Sequence, residues 1–142
     1  MNKLISISGP TAVGKTKFSI DLAKKINCEI ISFDSRQFYR EMSIGTAVPK
    51  KNELIQVKHH FIQHKSIHDY YNINQFSIDA KKLINELFKK NKYIILVGGS
   101  FLYLKSIIYG INNVPEIPNE VRHALNNESV SYTHLRAHET VV

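Results

Sequence analysis

The stretch Gly9-Pro10-Thr11-Ala12-Val13-Gly14-Lys15-Thr16 constrains this chain more than any other, because it fits the phosphate-binding pattern G-x-x-x-x-G-K-[ST]. Glycine near each end lets the backbone curl until several N–H groups point inward at one phosphate group. Lys15 adds a mobile positive charge, and the Thr16 hydroxyl can hold Mg2+. A helix starting at the loop's end brings the positive end of its dipole to the same place. The flanks agree with this reading. Leu4-Ile5-Ser6-Ile7-Ser8 reads as a short apolar strand, and Lys15 to Ile26 follows with Phe18, Leu22 and Ile26 at helical spacing.

At 142 residues the chain makes one domain at most, short for an enzyme that must bind two substrates. Its 19 Lys and Arg against 12 acids give a net charge of +7, which suits nucleic acid or a phosphorylated substrate. A coding bias towards Lys, Asn, Ile and Tyr accounts for that balance equally well. Cys28 is the only cysteine, so neither a disulfide framework nor a thiolate metal site is available. The first apolar run stops at Gly9-Pro10, unlike a signal peptide, and no run approaches membrane-spanning length. A cytoplasmic monomer with no membrane partner is the expectation.

Glu29 to Phe33 reads as a second buried strand ending at Asp34-Ser35-Arg36-Gln37. Strands alternating with helices predict an α/β fold, a P-loop nucleotide-kinase-like core whose parallel sheet is flanked by helices. Phe38 to Pro49 reads as irregular, Lys50 to Val57 as a short basic helix, His59 to Ile62 as a strand, and Lys65 to Asn72 as a loop. Asn74 is the predicted cap of a long helix whose apolar stripe runs through Phe76, Ala80, Leu83, Leu87 and Phe88 to Lys90. Tyr93 to Val97 is the clearest strand and runs straight into Gly98-Gly99-Ser100. Phe101 to Tyr109 reads as a helix ended by Gly110, Pro115 and Pro118 mark a loop, and Glu120 to Asn126 reads as a last short helix.

From Val130 onward no helical or strand period is visible, and residues 130–140 correspond to one reading frame of a transposase sequencing adapter. The division expected is therefore 1–129, an incomplete N-terminal P-loop transferase core, and 130–142, a non-native tail.

In open α/β sheets ligands bind beyond the carboxyl ends of the strands, which puts Asp34 on the same edge as the phosphate loop. An ordinary P-loop ATPase holds its metal through an acid at a strand end, yet the strand before Gly98 carries none. Asp34 is the only acid at a predicted strand end. It can order metal-bound water, accept a proton from a nucleophile, or simply cap a turn. Gly98-Gly99 allows close backbone approach, with Ser100 offering a hydroxyl. His60, His64 and His68 have four-residue spacing but no convincing helix beneath them, so a metal site there is disfavoured. Tyr70-Tyr71 can stack on a base or lie half-buried in a loop.

Taken in order, the phosphate loop, Asp34-Ser35-Arg36-Gln37-Phe38-Tyr39-Arg40, Ile44-Gly45-Thr46-Ala47, His59-His60 and Val97-Gly98-Gly99-Ser100 resemble the tRNA dimethylallyltransferases, a family of tRNA-modifying isopentenyltransferases. The resemblance covers Leu4 to about Asn126. Ser100 stands where that family usually has threonine, and Phe33 where it has a smaller residue. The resemblance implies transfer of a dimethylallyl group from its diphosphate to the exocyclic amine of an adenosine beside the tRNA anticodon. Residues Gly9 to Thr16 then grip the diphosphate, with Thr16 holding Mg2+ and Lys15 stabilising the leaving pyrophosphate. Asp34 is the expected general base, with Ser100 as a positioning group. Asp34, Ser35, Arg36, Gln37, Ser100 and Arg122 are the expected tRNA contacts, and the target base must be flipped out to reach them.

The family carries further basic residues and helices that have no counterpart among these 142 residues, so a chain truncated at its C-terminal side, inactive alone and with exposed apolar surface, is expected. A P-loop small-molecule kinase using ATP is the main rival reading. An inactive nucleic-acid-binding fragment is the other, though it leaves the phosphate loop without a purpose.

Overall fold

The computed structural model describes residues 1–111 and 118–139, which fall into two units divided after Ile111. The first unit runs β1 (Lys3–Ser8), α1 (Lys15–Ile26), β2 (Ile30–Ser32), a 3₁₀ turn (Ser35–Phe38), α2 (Lys51–Leu54), β3 (His59–His60), α3 (Ile73–Leu87), β4 (Tyr93–Gly98) and α4 (Phe101–Tyr109). All four strands are parallel, in the order β1-β4-β2-β3. The last strand in sequence is thus inserted between the first two, and three successive strand ends converge beside the phosphate loop.

Sequence pattern explains the layers. Ile94, Ile95 and Leu96 are all buried, as in a strand covered on both faces. Ile95 packs with Ile20 and Ala23 of α1, while Ile94 and Leu96 pack with Phe76 and Ala80 of α3 and Leu104 of α4. One aromatic cluster ties this core to the functional edge. Phe38 closes the 3₁₀ turn, and its ring lies 5.0 Å from Phe76, 5.6 Å from Tyr103 and 5.8 Å from Tyr71. The turn that begins at Asp34 is therefore anchored by burial at its other end.

Several boundaries depart from the sequence reading. The α3 cap is Asn72, not Asn74. Asn72 Oδ1 accepts from the Gln75 backbone N–H at 2.9 Å, while the Gln75 side chain accepts from the Asn72 N–H at 3.2 Å, a reciprocal capping box. That helix stops at Leu87, short of Lys90. The Lys50–Val57 helix shrinks to the single turn of α2, and β3 keeps only two residues because it pairs only with Ile30 and Ile31. Tyr71 is buried and donates to Asp79 at 3.0 Å, so it belongs to the core.

At the sheet's other edge β1 has a neighbour on one side only, and Leu4 is exposed. So are Phe101, Leu102 and Tyr109 of α4. In the second unit, α5 (Asn119–Glu139) replaces the predicted short helix and runs on through the stretch read as lacking helical period. Its 21 residues contain neither Gly nor Pro, so nothing interrupts the backbone bonds even though no apolar stripe favours them. Residues 119–130 are exposed. Pro115 lies outside the described residues. No helix among the described residues is long and apolar enough to cross a membrane.

Candidate active site

The phosphate loop curls through two left-handed residues, Ala12 at φ 65° and Gly14 at φ 92°, before α1 begins at Lys15. No side chain caps that helix, so the N–H groups of its first turn stay available to an anion. Lys15 Nζ donates to the backbone oxygens of Gly9, at 2.8 Å, and Pro10. The charge is thus parked on the loop that an incoming phosphate must occupy. Thr16 lines the same cavity, as do Thr11, Ala12 and Gly14.

Asp34 sits just past β2 and caps the 3₁₀ turn: its Oδ1 accepts from the Arg36 N–H at 3.2 Å. A Cβ placed on Gly99 would lie 3.8 Å from Asp34 Oδ2 and 3.5 Å from the Gly9 oxygen, which puts the carboxylate and the start of the phosphate loop around one point. Asp34, Lys15 and Thr16 line a single cavity of about 250 Å³. Capping and a chemical role are compatible here, because they use different oxygens.

Gly98 explains how Asp34 comes so close. A Cβ there would meet Phe33 Cδ2 at 2.7 Å and the Asp34 nitrogen at 2.9 Å. Only a bare backbone lets the end of β2 fold over β4. Ser100 adds a second tie, accepting from the Ser35 N–H at 3.1 Å, with the Ser35 and Ser100 hydroxyls 3.2 Å apart. Arg36 is exposed on the turn. The Gln37 side chain faces inward instead. Its Oε1 accepts from Ser32 Oγ at 3.2 Å, and its Nε2 donates to the backbone oxygens of Thr46 at 3.2 Å and Ala47 at 2.9 Å. Arg122 lies on α5, in the second unit.

The structure adds a wall that the sequence reading did not identify. Ala47, Pro49, Glu53, His59, Ile62 and Val97 also line the cavity. His59 Nδ1 is 2.8 Å from the Val57 carbonyl, which can only accept, so that nitrogen carries the proton. Its Nε2 is left a bare acceptor, buried without a protein partner, and burial pushes the imidazole below its ordinary value. The three spaced histidines have separate surroundings. His60 meets Glu29 at 2.6 Å, His64 is packed among Phe38, Phe61 and Tyr71, and His68 is exposed. No group of three or more metal-ligating side chains occurs among the described residues.

The model of the IPP transferase family matches residues 37–141. A tRNA dimethylallyltransferase of Flavobacterium psychrophilum is 52% identical over 128 residues, covering 90% of this chain and 42% of that relative. Among solved structures, the full-length tRNA isopentenylpyrophosphate transferase of Bacillus halodurans superposes with a TM-score of 0.75 at 39% identity, covering 99% of this chain and 47% of the other. A eukaryotic dimethylallyltransferase, captured acting on tRNA, gives a TM-score of 0.71 at 32% identity, covering 82% of this chain and 28% of the other. The chain spans about two fifths of the length of the curated relatives it matches.

Proposed function

Because the chain belongs to the IPP transferase family, we propose that it carries the diphosphate site and general base of an enzyme that dimethylallylates tRNA. The donor is dimethylallyl diphosphate, and the acceptor is the exocyclic amine of an adenosine beside the anticodon. The observation that carries this reading is the meeting of the phosphate loop and Asp34 around Gly99. A leaving group held on one side and a proton acceptor on the other are what a displacement at carbon requires.

Binding of the diphosphate draws Lys15 away from the Gly9 and Pro10 carbonyls and onto the phosphate oxygens. The bond between the allylic carbon and the diphosphate oxygen breaks, and the pair of electrons leaves with pyrophosphate. The adenine amine forms the new C–N bond and gives one proton to Asp34 Oδ2. Open N–H groups at the start of α1 stabilise the negative charge that develops on the leaving group. The Thr16 hydroxyl lines the same cavity, a hard oxygen donor that fits a divalent cation completed by diphosphate and water. We assign Mg2+, whose contribution when bound is to offset the leaving group's charge.

On the acceptor side, Ser35, Arg36 and Ser100 meet the flipped nucleotide and its backbone, with Arg122 as a further phosphate contact. Ser100 acts by holding the Ser35 turn beside Asp34. Such an enzyme works in the cytoplasm, where its tRNA is.

Titration with dimethylallyl diphosphate against ATP, each with Mg2+, tests the donor. Tight binding of the prenyl diphosphate supports the reading, and preference for ATP overturns it in favour of a kinase. Asp34→Asn tests the base in a chimera completed by the remainder of the Flavobacterium psychrophilum relative. Single-turnover transfer should drop by about 10²–10⁴, the usual span for a general base, while the diphosphate still binds. Near wild-type transfer, quantified by mass spectrometry of the modified adenosine, ends that assignment.

A further inference from the structure

The site reading leaves one strong side chain without a chemical task. Gln37 uses its whole amide internally, accepting from Ser32 at the end of β2 and donating to the Thr46 and Ala47 carbonyls. Its backbone is fixed as well, with its N–H donated to the Asp34 oxygen at 2.9 Å and its oxygen accepting from Gln63 at 2.7 Å. The segment that it holds needs holding. Gly45 and Ala47 are both left-handed, at φ 75° and 50°, and the latter carries a Cβ strained by that conformation.

What hangs from Gln37 is one wall of the cavity. Ala47 and Pro49 lie on it, with Ile62 and Val97 lining the same space beside the phosphate loop. A group bonded to the gripped phosphates can lie against these residues. The aliphatic part of the lining, Ala47, Pro49, Ile62 and Val97, suits a short branched hydrocarbon. The same cavity is also lined by Glu53 and by His59, whose Nε2 is buried without a protein partner. A longer hydrocarbon chain has to cover those polar groups, which carries a desolvation penalty.

We propose that Gln37 is a specificity-determining positioning residue, which fixes the Thr46–Ala47 wall against the five-carbon tail and excludes longer prenyl chains. The inference rests on the diphosphate reading above and goes beyond it, because it gives Gln37 a role on the donor side rather than the tRNA side.

Isothermal titration calorimetry on this chain with Mg2+ tests it, using methyl, dimethylallyl and geranyl diphosphates. The three probes share one charge and differ only in the tail. About 0.8 kcal/mol per buried methylene is roughly a fourfold gain in affinity, so burying two or more carbons gives dimethylallyl diphosphate at least a tenfold advantage over the methyl ester. Geranyl diphosphate should bind no more tightly than dimethylallyl diphosphate. Gln37→Met keeps length and volume but removes all three hydrogen bonds, and the dimethylallyl-to-methyl ratio should fall to about twofold or less. A ratio retained in this variant, or an equal loss for both esters, overturns the proposal, since the first denies the strut and the second signals only a damaged fold. Should the methionine variant unfold, Gln37→Glu decides on the same ratio, because its carboxylate accepts from Ser32 but cannot donate to the two carbonyls. Wild-type chain that binds ATP and none of the three esters sinks the diphosphate reading, and this inference with it.

Discussion

Gly98→Ala is the sharpest test of how the site is assembled. The added methyl would stand 2.7 Å from Phe33 Cδ2, 2.9 Å from the Phe33 carbonyl carbon and 2.9 Å from the Asp34 nitrogen. Two of the three obstacles are backbone, and the third belongs to a fully buried ring. Rotating a side chain therefore cannot relieve the clash, and the end of β2 has to move by roughly half an ångström or more to reach ordinary contact. Overpacking of this kind costs about 1–3 kcal/mol, and the backbone neighbours put this case near the upper end. For a chain of this size the melting temperature should fall by roughly 10 °C. The movement also displaces Asp34 from the phosphate loop, and misplacement of about 1 Å is worth on the order of 100-fold in rate. Urea denaturation followed by circular dichroism measures the first effect. Gly99→Ala is the internal control, since its methyl would make only the ordinary contacts of 3.5 and 3.8 Å and should change stability by less than about 1 kcal/mol. A Gly98→Ala protein as stable as wild type, or equal damage from the two substitutions, would refute the close-approach argument.

Lys15→Ala removes one charge-assisted contact worth roughly 1.5–3 kcal/mol, so calorimetry should find diphosphate affinity about ten- to a hundredfold weaker. Unchanged affinity takes Lys15 out of the site. His64 governs a stability change in acid. Burial, with the Lys65 charge second and Asp79 opposing, holds its imidazole down at about 4 instead of 6.5, and neither ring nitrogen has a partner. The folded state therefore resists a proton that the unfolded chain accepts. Its stability is full above about pH 6.5 and is lost as the pH falls towards 4, by roughly 1–2 kcal/mol after discounting for the partly solvated ring. Urea midpoints at pH 7.5, 6 and 4.5 should fall less steeply in His64→Phe, and parallel slopes would show that His64 is not responsible. Asn72→Ala, which breaks the capping box of α3, should cost about 1 kcal/mol by the same measurement, whereas Asn74→Ala should not.

The sequence was most legible where local chemistry decides the structure. The ends of α1 fall at Lys15 and Ile26 as read, because Gly14 in its left-handed conformation permits the start and Asn27, also left-handed, ends it. The limits of α4 were equally readable from Gly110. Asn72 could have been found, since Gln75 stands three residues on and completes a capping box, while Asn74 has Ser77 at that distance. What stayed hidden depends on partners far along the chain. The length of β3 is set by its register with Ile30 and Ile31, and no pattern within His59–Ile62 encodes it. The inward turn of Gln37 depends on where Thr46 and Ala47 present their carbonyls, nine and ten residues away and after the left-handed Gly45. Asp34 was read as either a turn cap or a site residue, and only three dimensions show its Oδ1 capping the Arg36 N–H while Oδ2 lies beside Gly99.

The missing acid on β4 follows from the same geometry. β4 lies directly beside β1, with Ser8 in register with Gly98, so its end is the nearest neighbour of the phosphate loop. A carboxylate there would sit beneath the bound phosphates, in position to order the cation's water. Glycine at that point gives up such a ligand and gains space, and the end of β2 folds into it. The carboxylate that arrives belongs to Asp34, one strand further from β1, and its Oδ2 lies beside Gly99. Phosphoryl transfer to water or a small alcohol is served by an acid at the floor, close to the metal. Transfer to a base carried on a large nucleic acid demands a proton acceptor where that base arrives. Under the transfer reading proposed above, the bare backbone at Gly98 and the placement of Asp34 serve one requirement, so Gly98→Ala and Asp34→Asn test it from two sides.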